Sequence, residues 1–228
     1  MMVNKEVWKE LEDKFIQKGI TLVAVSKTKS AHEIQELYNL GQRDFGENYV
    51  QELVEKEALL PKDIYWHYIG HLQSNKVKCI APFVHLIQAV DSFKLLQEIN
   101  KQAAKNNRTI DVLLQMHIAD EETKFGLDEK EIIELLNFYE AQKEQLNNIR
   151  ICGLMGMSTN TEDEEKVRSE FARMHAVFKN LQQSYFLTKE YFAICSMGMS
   201  GDYQMAIEEG SNMVRIGSML FGARQYNN

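Results

Sequence analysis

Short runs of hydrophobic β-forming residues alternate with longer amphipathic stretches along almost the whole chain. After an initial charged helix, the run TLVAVS (21–26) is followed by the helical pattern SAHEIQELYNLG, and NMVRIGSMLFG completes the last repeat. Such alternation predicts a parallel sheet with right-handed crossovers and helices on its outside. We count eight strand-plus-helix units, which favours an α/β fold closed as a (β/α)8 TIM barrel, with an open doubly wound sheet as the alternative.

The length agrees with one such barrel, which usually needs roughly 200 to 250 residues. The chain has 228 residues, 44% of them hydrophobic, and only two prolines. No linker or shift in composition divides it. We therefore expect a single domain over residues 1–228, in which an N-terminal helix over residues 1–18 packs on the barrel.

Charge and cysteine content exclude several classes of protein. The 26 Lys and Arg residues are scattered among 33 Asp and Glu residues, for a net charge of −7, which argues against a nucleic-acid footprint or a basic membrane patch. No signal peptide and no apolar run of about 18 residues is visible. The three cysteines, Cys79, Cys152 and Cys195, have no metal-type spacing and read as reduced core residues. We expect a cytoplasmic protein with a small ligand.

The residues that directly follow each strand should form the site, because barrels build their active sites at the C-terminal ends of the strands. This set is rich in small residues, hydroxyls and amides. Its members are Ser26-Lys27-Thr28, Gly46-Glu47-Asn48, Ile69-Gly70-His71, Asp91, the EETKFG loop (121–126), residues 155–159, SMGMSGD (196–202) and RIGSMLFG (215–222).

The last two loops predict a phosphate site. SMGMSGD and IGS (216–218) each place glycine and serine just before a helix. Glycines let backbone N–H groups approach an anion, serines add hydroxyl donors, and a helix N-terminus is partly positive. Barrels commonly bind phosphate with the loops after strands seven and eight. Ordinary tight turns with serine caps are the alternative.

A charged side chain stands inside the last apolar strand. Arg215 lies within MVRIG, where an unpaired charge would cost several kcal/mol. It must therefore point to a partner or a ligand. An outward-facing arginine that pairs with Glu208 or Glu209 is the alternative.

Lys27 ends the first strand, where it is either a solvated surface charge or an amine held in a pocket. Together with a phosphate site and a buried arginine, an amine suits a phosphorylated aldehyde that it would bind as a Schiff base. The attacking amine must be neutral, so its pKa must fall through burial or nearby cations. Lys29 and Lys76 are candidate neighbours. His67 and His71 do not share a helix face and read as structural histidines, so we expect no metal site.

Several long motifs together resemble one known family. They are VAVSKTK, FGENYVQE, WHYIGHLQSNK, GLMGM, SMGMSGD and VRIGSMLFG, and they span the chain from about Leu22 to Gly222. The sequence is similar to the YggS/PROSC family of pyridoxal 5'-phosphate (PLP) homeostasis proteins. The resemblance implies the barrel of the alanine racemase N-terminal domain, known as PLP fold type III.

The resemblance also implies roles for particular residues. Lys27 matches the lysine that holds PLP as a Schiff base. Ser200, Gly217 and Ser218 match the phosphate site, Arg215 matches the residue that faces the pyridine nitrogen, and Asn48 lies at the pocket edge. None of these is expected to be catalytic. An arginine opposite that nitrogen keeps it unprotonated, which weakens the ring as an electron sink.

The implied function is intracellular PLP homeostasis, as a carrier or buffer without efficient catalysis. The chain ends after the last βα unit, without the C-terminal domain that gives alanine racemases their second acid/base, which argues against efficient racemisation. A weak amino-acid racemase or a Schiff-base aldolase is the alternative. The expected partners are PLP and, transiently, apo PLP-dependent enzymes, with no nucleic acid and no membrane, and the expected state is a monomer.

Overall fold

Eight parallel strands pair in chain order and close into a barrel, because β1 also pairs with β8. The computed structural model describes residues 3–120 and 125–222. The strands are β1 (Thr21–Val25), β2 (Asp44–Glu47), β3 (Tyr65–Tyr68), β4 (Leu86–Val90), β5 (Ile110–Met116), β6 (Ile149–Gly156), β7 (Ile194–Ser196) and β8 (Met213–Ile216). The predicted barrel is confirmed, and the open sheet is wrong.

The helices lie outside the strands. They are α1 (Lys5–Ile16), α2 (Ala31–Leu40), α3 (Val50–Leu59), α4 (Val77–Ile80), α5 (Phe93–Lys105), α6 (Glu129–Ala141), α7 (Glu164–Ser184), α8 (Tyr203–Glu208) and α9 (Ser218–Phe221), and a 3-10 turn at Ser74–Lys76 precedes α4. None of the helices in the described part of the chain is long and apolar enough to cross a membrane.

Local sequence signals set where the helices begin and end. Ser30 and Asp128 each form a capping box, in which the cap side chain and a glutamate three residues later satisfy each other's backbone N–H groups. Ser92 caps α5 through the backbone N–H of Leu95. Gly41 ends α2 in the left-handed conformation that glycine adopts readily.

Buried hydrophobic residues form two separate clusters. The larger cluster lies between the strands and the helices and includes fully buried Phe45, Phe171 and Phe192. The smaller one consists of Val23, Leu86, Ala89, Leu113, Cys152, Met155 and Met213. Each large apolar side chain buried in this way stabilises the fold by roughly 1.5 to 3 kcal/mol relative to its exposure.

A hydrogen bond joins the start of helix α1 to helix α9. The backbone N–H of Asn4 donates to the carbonyl of Leu220 over 2.8 Å, beside the end of the last helix. The apolar face of α1 buries Leu11 and Phe15, and Trp8 donates its Nε1–H to Gln42 Oε1 over 2.8 Å. Gln42 in turn donates to the carbonyl of Leu22 in β1.

A bulge in β6 depends on Gly153. The register with β5 shifts there, since Val112 pairs with Ile151 and Leu113 pairs with Gly153. A Cβ built on Gly153 would lie 1.7 Å from the carbonyl oxygen of Ile194 in β7. The two strands can approach this closely only without a side chain.

We therefore expect Gly153→Ala to separate β6 from β7 and to lower the free energy of unfolding by more than about 3 kcal/mol. Urea denaturation followed by circular dichroism measures this change. Gly201→Ala is the control, because a Cβ there would meet no atom within 4 Å. Equal unfolding midpoints for the two variants would contradict the role assigned to the bulge.

Candidate functional site

A cavity with a volume of about 260 Å³ opens at the C-terminal ends of the strands, beside β1 and β8. All six residues that the sequence proposed as ligand-binding line it, namely Lys27, Asn48, Ser200, Arg215, Gly217 and Ser218. The other lining residues are Val25, Lys29, Ile69, Met157, Met199, Gly201 and Gly222. The structure therefore brings the predicted site together in one place.

The pairing of β1 with β8 sets the distance between the two ends of the site. Val23 lies beside Arg215, and Ala24 lies beside Ile216, in a parallel register. The residues that follow these strands, Lys27 and Gly217, consequently emerge at the same edge of the barrel.

The two serine-glycine loops meet directly. Ser200 Oγ accepts the backbone N–H of Gly217 over 3.3 Å. Asp202 secures the first loop by accepting the N–H of Met199 over 2.6 Å and the hydroxyl of Ser158 over 2.7 Å. Helices α8 and α9 have only six and four residues, so the donors for an anion here are the loop groups themselves rather than a strong helix dipole.

Gly217 also fits tightly against the first strand. A Cβ on this residue would lie 3.2 Å from the carbonyl oxygen of Val25. Glycine keeps the backbone of the last loop close to β1, and thus close to the segment that carries Lys27.

Arg215 points into the barrel and is almost completely buried. Its guanidinium donates to the carbonyl of Ser196 over 2.9 Å, to Ser196 Oγ over 2.6 Å and to the carbonyl of Gly156 over 2.9 Å. Burial lowers the pKa of Arg215 to about 10, so the side chain stays charged at neutral pH. The alternative of an outward-facing Arg215 is wrong, because Glu208 and Glu209 pair with Arg168 instead.

A chain of hydrogen bonds runs from Arg215 through the barrel. Ser196 donates its hydroxyl to Gln88 Oε1 over 2.8 Å, and Gln88 donates its Nε2–H to His67 Nδ1 over 3.0 Å. His67 then donates from Nε2 to Asp44 Oδ1 over 2.8 Å. In each of these bonds the donor comes before its acceptor in the order from Arg215 to Asp44. The chain ends on the carboxylate of Asp44, the first residue of β2. His67 is thus a hydrogen-bonded structural residue, as predicted.

Sequence reasoning missed a buried charged cluster beside Lys27. Glu47, which ends β2, is fully buried and accepts Ser26 Oγ–H over 2.5 Å and Lys56 Nζ–H over 2.7 Å. Lys56 lies three residues after buried Leu53 and four before buried Leu60. A lysine on the apolar face of α3 was the signal that could have revealed the cluster.

Burial dominates the protonation of Glu47. Desolvation raises the pKa of its carboxyl to about 7, against the opposing effect of Lys56. Its second oxygen, Oε2, is buried and has no hydrogen-bond partner in the described ranges. The folded protein therefore keeps a proton on this carboxyl up to about pH 7, and above that pH the group is the carboxylate that pairs with Lys56.

Some strand-end residues do not reach the cavity. His71 Nδ1 lies 3.1 Å from Asp91 Oδ2, and the ring stacks on Phe125 at 4.2 Å between centroids, but none of the three lines the cavity. Lys76 lies outside it as well, whereas Lys29 lines it and donates to the carbonyl of Phe221 over 2.9 Å. Residues 121–124 of the EETKFG loop lie outside the described residues.

The described side chains do not form a group suited to a metal ion. Over residues 3–120 and 125–222, no three His, Cys, Asp or Glu side chains are grouped so that they could hold an ion. Cys152 and Cys195 are buried free thiols, and Cys79 is a partly exposed one.

Comparison with known proteins identifies relatives over nearly the full chain. The family profile described as "Alanine racemase, N-terminal domain" matches residues 5–225. The "Pyridoxal phosphate homeostasis protein" of Aquifex aeolicus (strain VF5) is 41% identical over 206 residues, which cover 90% of this chain and 87% of the relative.

Solved structures agree with this match. PipY of Synechococcus elongatus PCC7942 is 34% identical and has been solved without and with PLP bound. The structure without PLP superimposes with a TM-score of 0.82 over 90% of this chain and 94% of PipY. The structure with PLP bound gives a TM-score of 0.78 over 90% and 93%.

The buried carboxyl of Glu47 makes stability depend on pH with a definite sign. Its pKa in the folded protein, about 7, exceeds the value of 4.5 expected when unfolded. Between these values the folded state binds more protons, so stability falls as pH rises from 4.5 to 7. We expect this carboxyl to contribute a loss of at most about 3 kcal/mol over that window.

Urea unfolding of the protein and of Glu47→Gln at pH 5, 6, 7 and 8 measures this contribution. Subtracting the two curves removes the effect of the other titrating groups. We expect the advantage of the wild type over Glu47→Gln to shrink as pH rises. A difference that stays constant or grows would show that Glu47 is ionised throughout.

Proposed function

This chain belongs to the family of pyridoxal phosphate homeostasis proteins, and on that premise we propose that it binds PLP at Lys27 and acts as a PLP carrier or buffer. One observation supports this proposal most directly. Lys27, Arg215 and the two serine-glycine loops, which lie at opposite ends of the chain, line the same cavity.

The chemistry of the cavity suits PLP. Val25, Ile69, Met157 and Met199 supply apolar wall against which a planar ring can pack. Asn48 Oδ1 is buried at the edge without a hydrogen-bond partner in the described part of the chain. A buried acceptor of this kind is costly, and a donor on a bound ligand would satisfy it.

Each polar residue has a proposed task. Lys27 binds the aldehyde, the hydroxyls of Ser200 and Ser218 donate to the phosphate, and Arg215 donates to the ring nitrogen. Gly217 belongs to the phosphate site through its N–H, which donates to Ser200 Oγ and so orients that hydroxyl. Each charge-assisted bond to the phosphate contributes roughly 1.5 to 3 kcal/mol. When bound, PLP supplies an aldehyde that condenses with amines and a ring that withdraws electrons from the bonds next to the condensed carbon.

The lining of the cavity favours storage over catalysis. Among its described residues are three cationic groups, Lys27, Lys29 and Arg215, but no Tyr, His, Cys, Asp or Glu. A two-sided proton transfer at an amino-acid carbon needs a second acid or base opposite the lysine. A positively charged Arg215 at the ring nitrogen would also keep a proton off that atom and so reduce electron withdrawal.

Release of PLP would require fewer groups than racemisation does. A neutral incoming amine would take the place of Lys27 on the aldehyde carbon and leave the lysine as a free amine, and no proton would have to leave an amino-acid carbon. We propose apo forms of PLP-dependent enzymes as transient recipients. The cytoplasmic location, the monomeric state and the single-domain organisation stay predictions, the first supported by the three free cysteines.

We expect the purified protein to bind PLP with an absorbance band that Lys27→Ala abolishes, because this substitution removes the amine and leaves the barrel intact. Borohydride reduction followed by peptide mass spectrometry should find the label on Lys27. Lys9→Ala, an exposed lysine of α1, is the control and should behave like the wild type.

Pyridoxal, which lacks the phosphate, provides the second comparison. It should bind at least 10-fold more weakly than PLP, because the loop donors lose their charged acceptor. A label on another lysine, or equal affinities for the two compounds, would contradict the assignment of the site.

We expect the protein loaded with PLP to exchange the α-hydrogen of L-alanine far more slowly than an alanine racemase. A missing general acid or base typically costs ~100- to 10,000-fold in rate. Mass spectrometry of L-alanine incubated in heavy water measures the exchange, with a racemase alongside. Exchange at a comparable rate would favour the enzyme alternative, and transfer of PLP to an apo-enzyme without exchange would favour the carrier.

A further inference from the structure

Three charged side chains hold the backbone on both sides of Lys27. We call Glu47, Glu52 and Lys56 the clamp, and we propose that Lys56 is a positioning residue that acts through the clamp to direct Lys27 into the cavity. The inference rests on the proposed function only in its use of Lys27 as the ligand-binding amine. The contacts themselves do not involve the ligand.

The clamp contacts the residues before and after Lys27. On one side, Lys56 Nζ donates to the carbonyl of Ser26 over 2.7 Å, and Glu47 accepts the Ser26 hydroxyl over 2.5 Å. On the other side, Glu52 Oε1 accepts the backbone N–H of Thr28 over 2.5 Å. Lys27 therefore lies between two anchored residues.

Lys56 joins the two halves of the clamp. Its ammonium donates to Glu47 Oε1 over 2.7 Å and to Glu52 Oε1 over 2.6 Å, in addition to the carbonyl of Ser26. An ammonium has three donors, and these contacts use all of them. Removal of Lys56 would break the bonds that link the two carboxylates to each other and to the carbonyl of Ser26.

The backbone that is held in this way is strained. Thr28 adopts a φ of 65°, in the left-handed region, which is uncommon for a β-branched residue. Such a residue costs of order 1 to 3 kcal/mol and persists only where its surroundings impose it. The turn from Ser26 to Thr28 brings the N–H of Lys29 onto the carbonyl of Ser26 over 3.0 Å. The clamp supplies the constraint that this turn requires.

Burial distinguishes the clamp from the surface ion pairs of the same helix region. Lys56 and Glu47 expose 5% and 0% of their surface, and a buried charged pair is often no more stabilising than apolar residues of the same size. Lys62 and Glu57, by contrast, pair at the exposed end of α3. A role in holding the turn at Lys27 explains why this pair is buried, whereas a gain in stability does not explain it.

Three variants test the clamp. Lys56→Met keeps the length of the side chain and removes the ammonium, and Glu52→Gln weakens the bond to Thr28 at a partly exposed position. Thr28→Gly relieves the strain, because glycine adopts positive φ at little cost. Lys62→Met and Glu55→Gln are matched controls, since both change exposed residues near or in α3.

The first readout uses the protein without PLP. Hydrogen–deuterium exchange at pH 7 should be at least 10-fold faster in the segment 26–30 of Lys56→Met and Glu52→Gln than in the wild type and the two controls. The rest of the barrel should exchange as in the wild type. Unchanged exchange in this segment in both variants would overturn the proposal, whatever the fate of the ligand.

The second readout is the rate at which PLP becomes linked to Lys27. We expect it to fall at least 10-fold in Lys56→Met, and we expect Thr28→Gly to recover most of that loss in the double variant. A lysine that only stabilised the core would not be rescued by a glycine at position 28, so the absence of rescue would overturn the positioning role.

If Lys56→Met does not fold, Glu52→Gln can still test the proposal by itself. A folded Glu52→Gln protein with wild-type exchange and a wild-type linkage rate would overturn the proposal. If instead the wild type fails to link PLP to Lys27 while the clamp variants still loosen the segment 26–30, the proposed function fails and the clamp stands.

Discussion

The pairing of β1 with β8 is the interaction on which the rest of the molecule depends. It joins Thr21–Val25 to Met213–Ile216 through four residue pairs and turns an open series of strands into a barrel. Because both strands run in the same direction, the residues that follow them meet at one edge. The lysine of the first repeat and the loop of the last repeat therefore share one cavity, and without this closure neither would form part of a site.

The buried cationic side chains near the cavity are stabilised in two different ways. Arg215 is surrounded by neutral acceptors and by a directional chain of hydrogen bonds that ends on Asp44. Lys56 instead contacts two carboxylates and one carbonyl. The first arrangement leaves a positive charge without a directly bound carboxylate among the described residues, and the second gathers its charges in the clamp. A cationic side chain thus stays available to an anionic or electron-rich ligand, while the clamp shapes the backbone beside it.

These two arrangements act on different parts of the same site. The polar chain holds Arg215 through Ser196, and the clamp holds the turn that contains Lys27. Both are made from strand and helix residues, so rigid elements position the two side chains that we propose bind the ligand. A cavity lined with cations, hydroxyls and apolar residues, and lacking a carboxyl or imidazole in its described lining, is suited to holding a phosphorylated aldehyde.

Sequence alone determined the eightfold alternation, the placement of Lys27 at a strand end, the two serine-glycine loops and the burial of Arg215. These features follow from local signals. The hydrophobic period, the helix-capping residues and an apolar run around a charged residue can each be recognised within a few sequence positions. The direction in which Arg215 points, the chain through Gln88 and His67, and the clamp of Glu47, Glu52 and Lys56 required the tertiary structure. Their partners come from different strands and helices, and only the closed barrel decides which polar groups lose contact with water and must find one another.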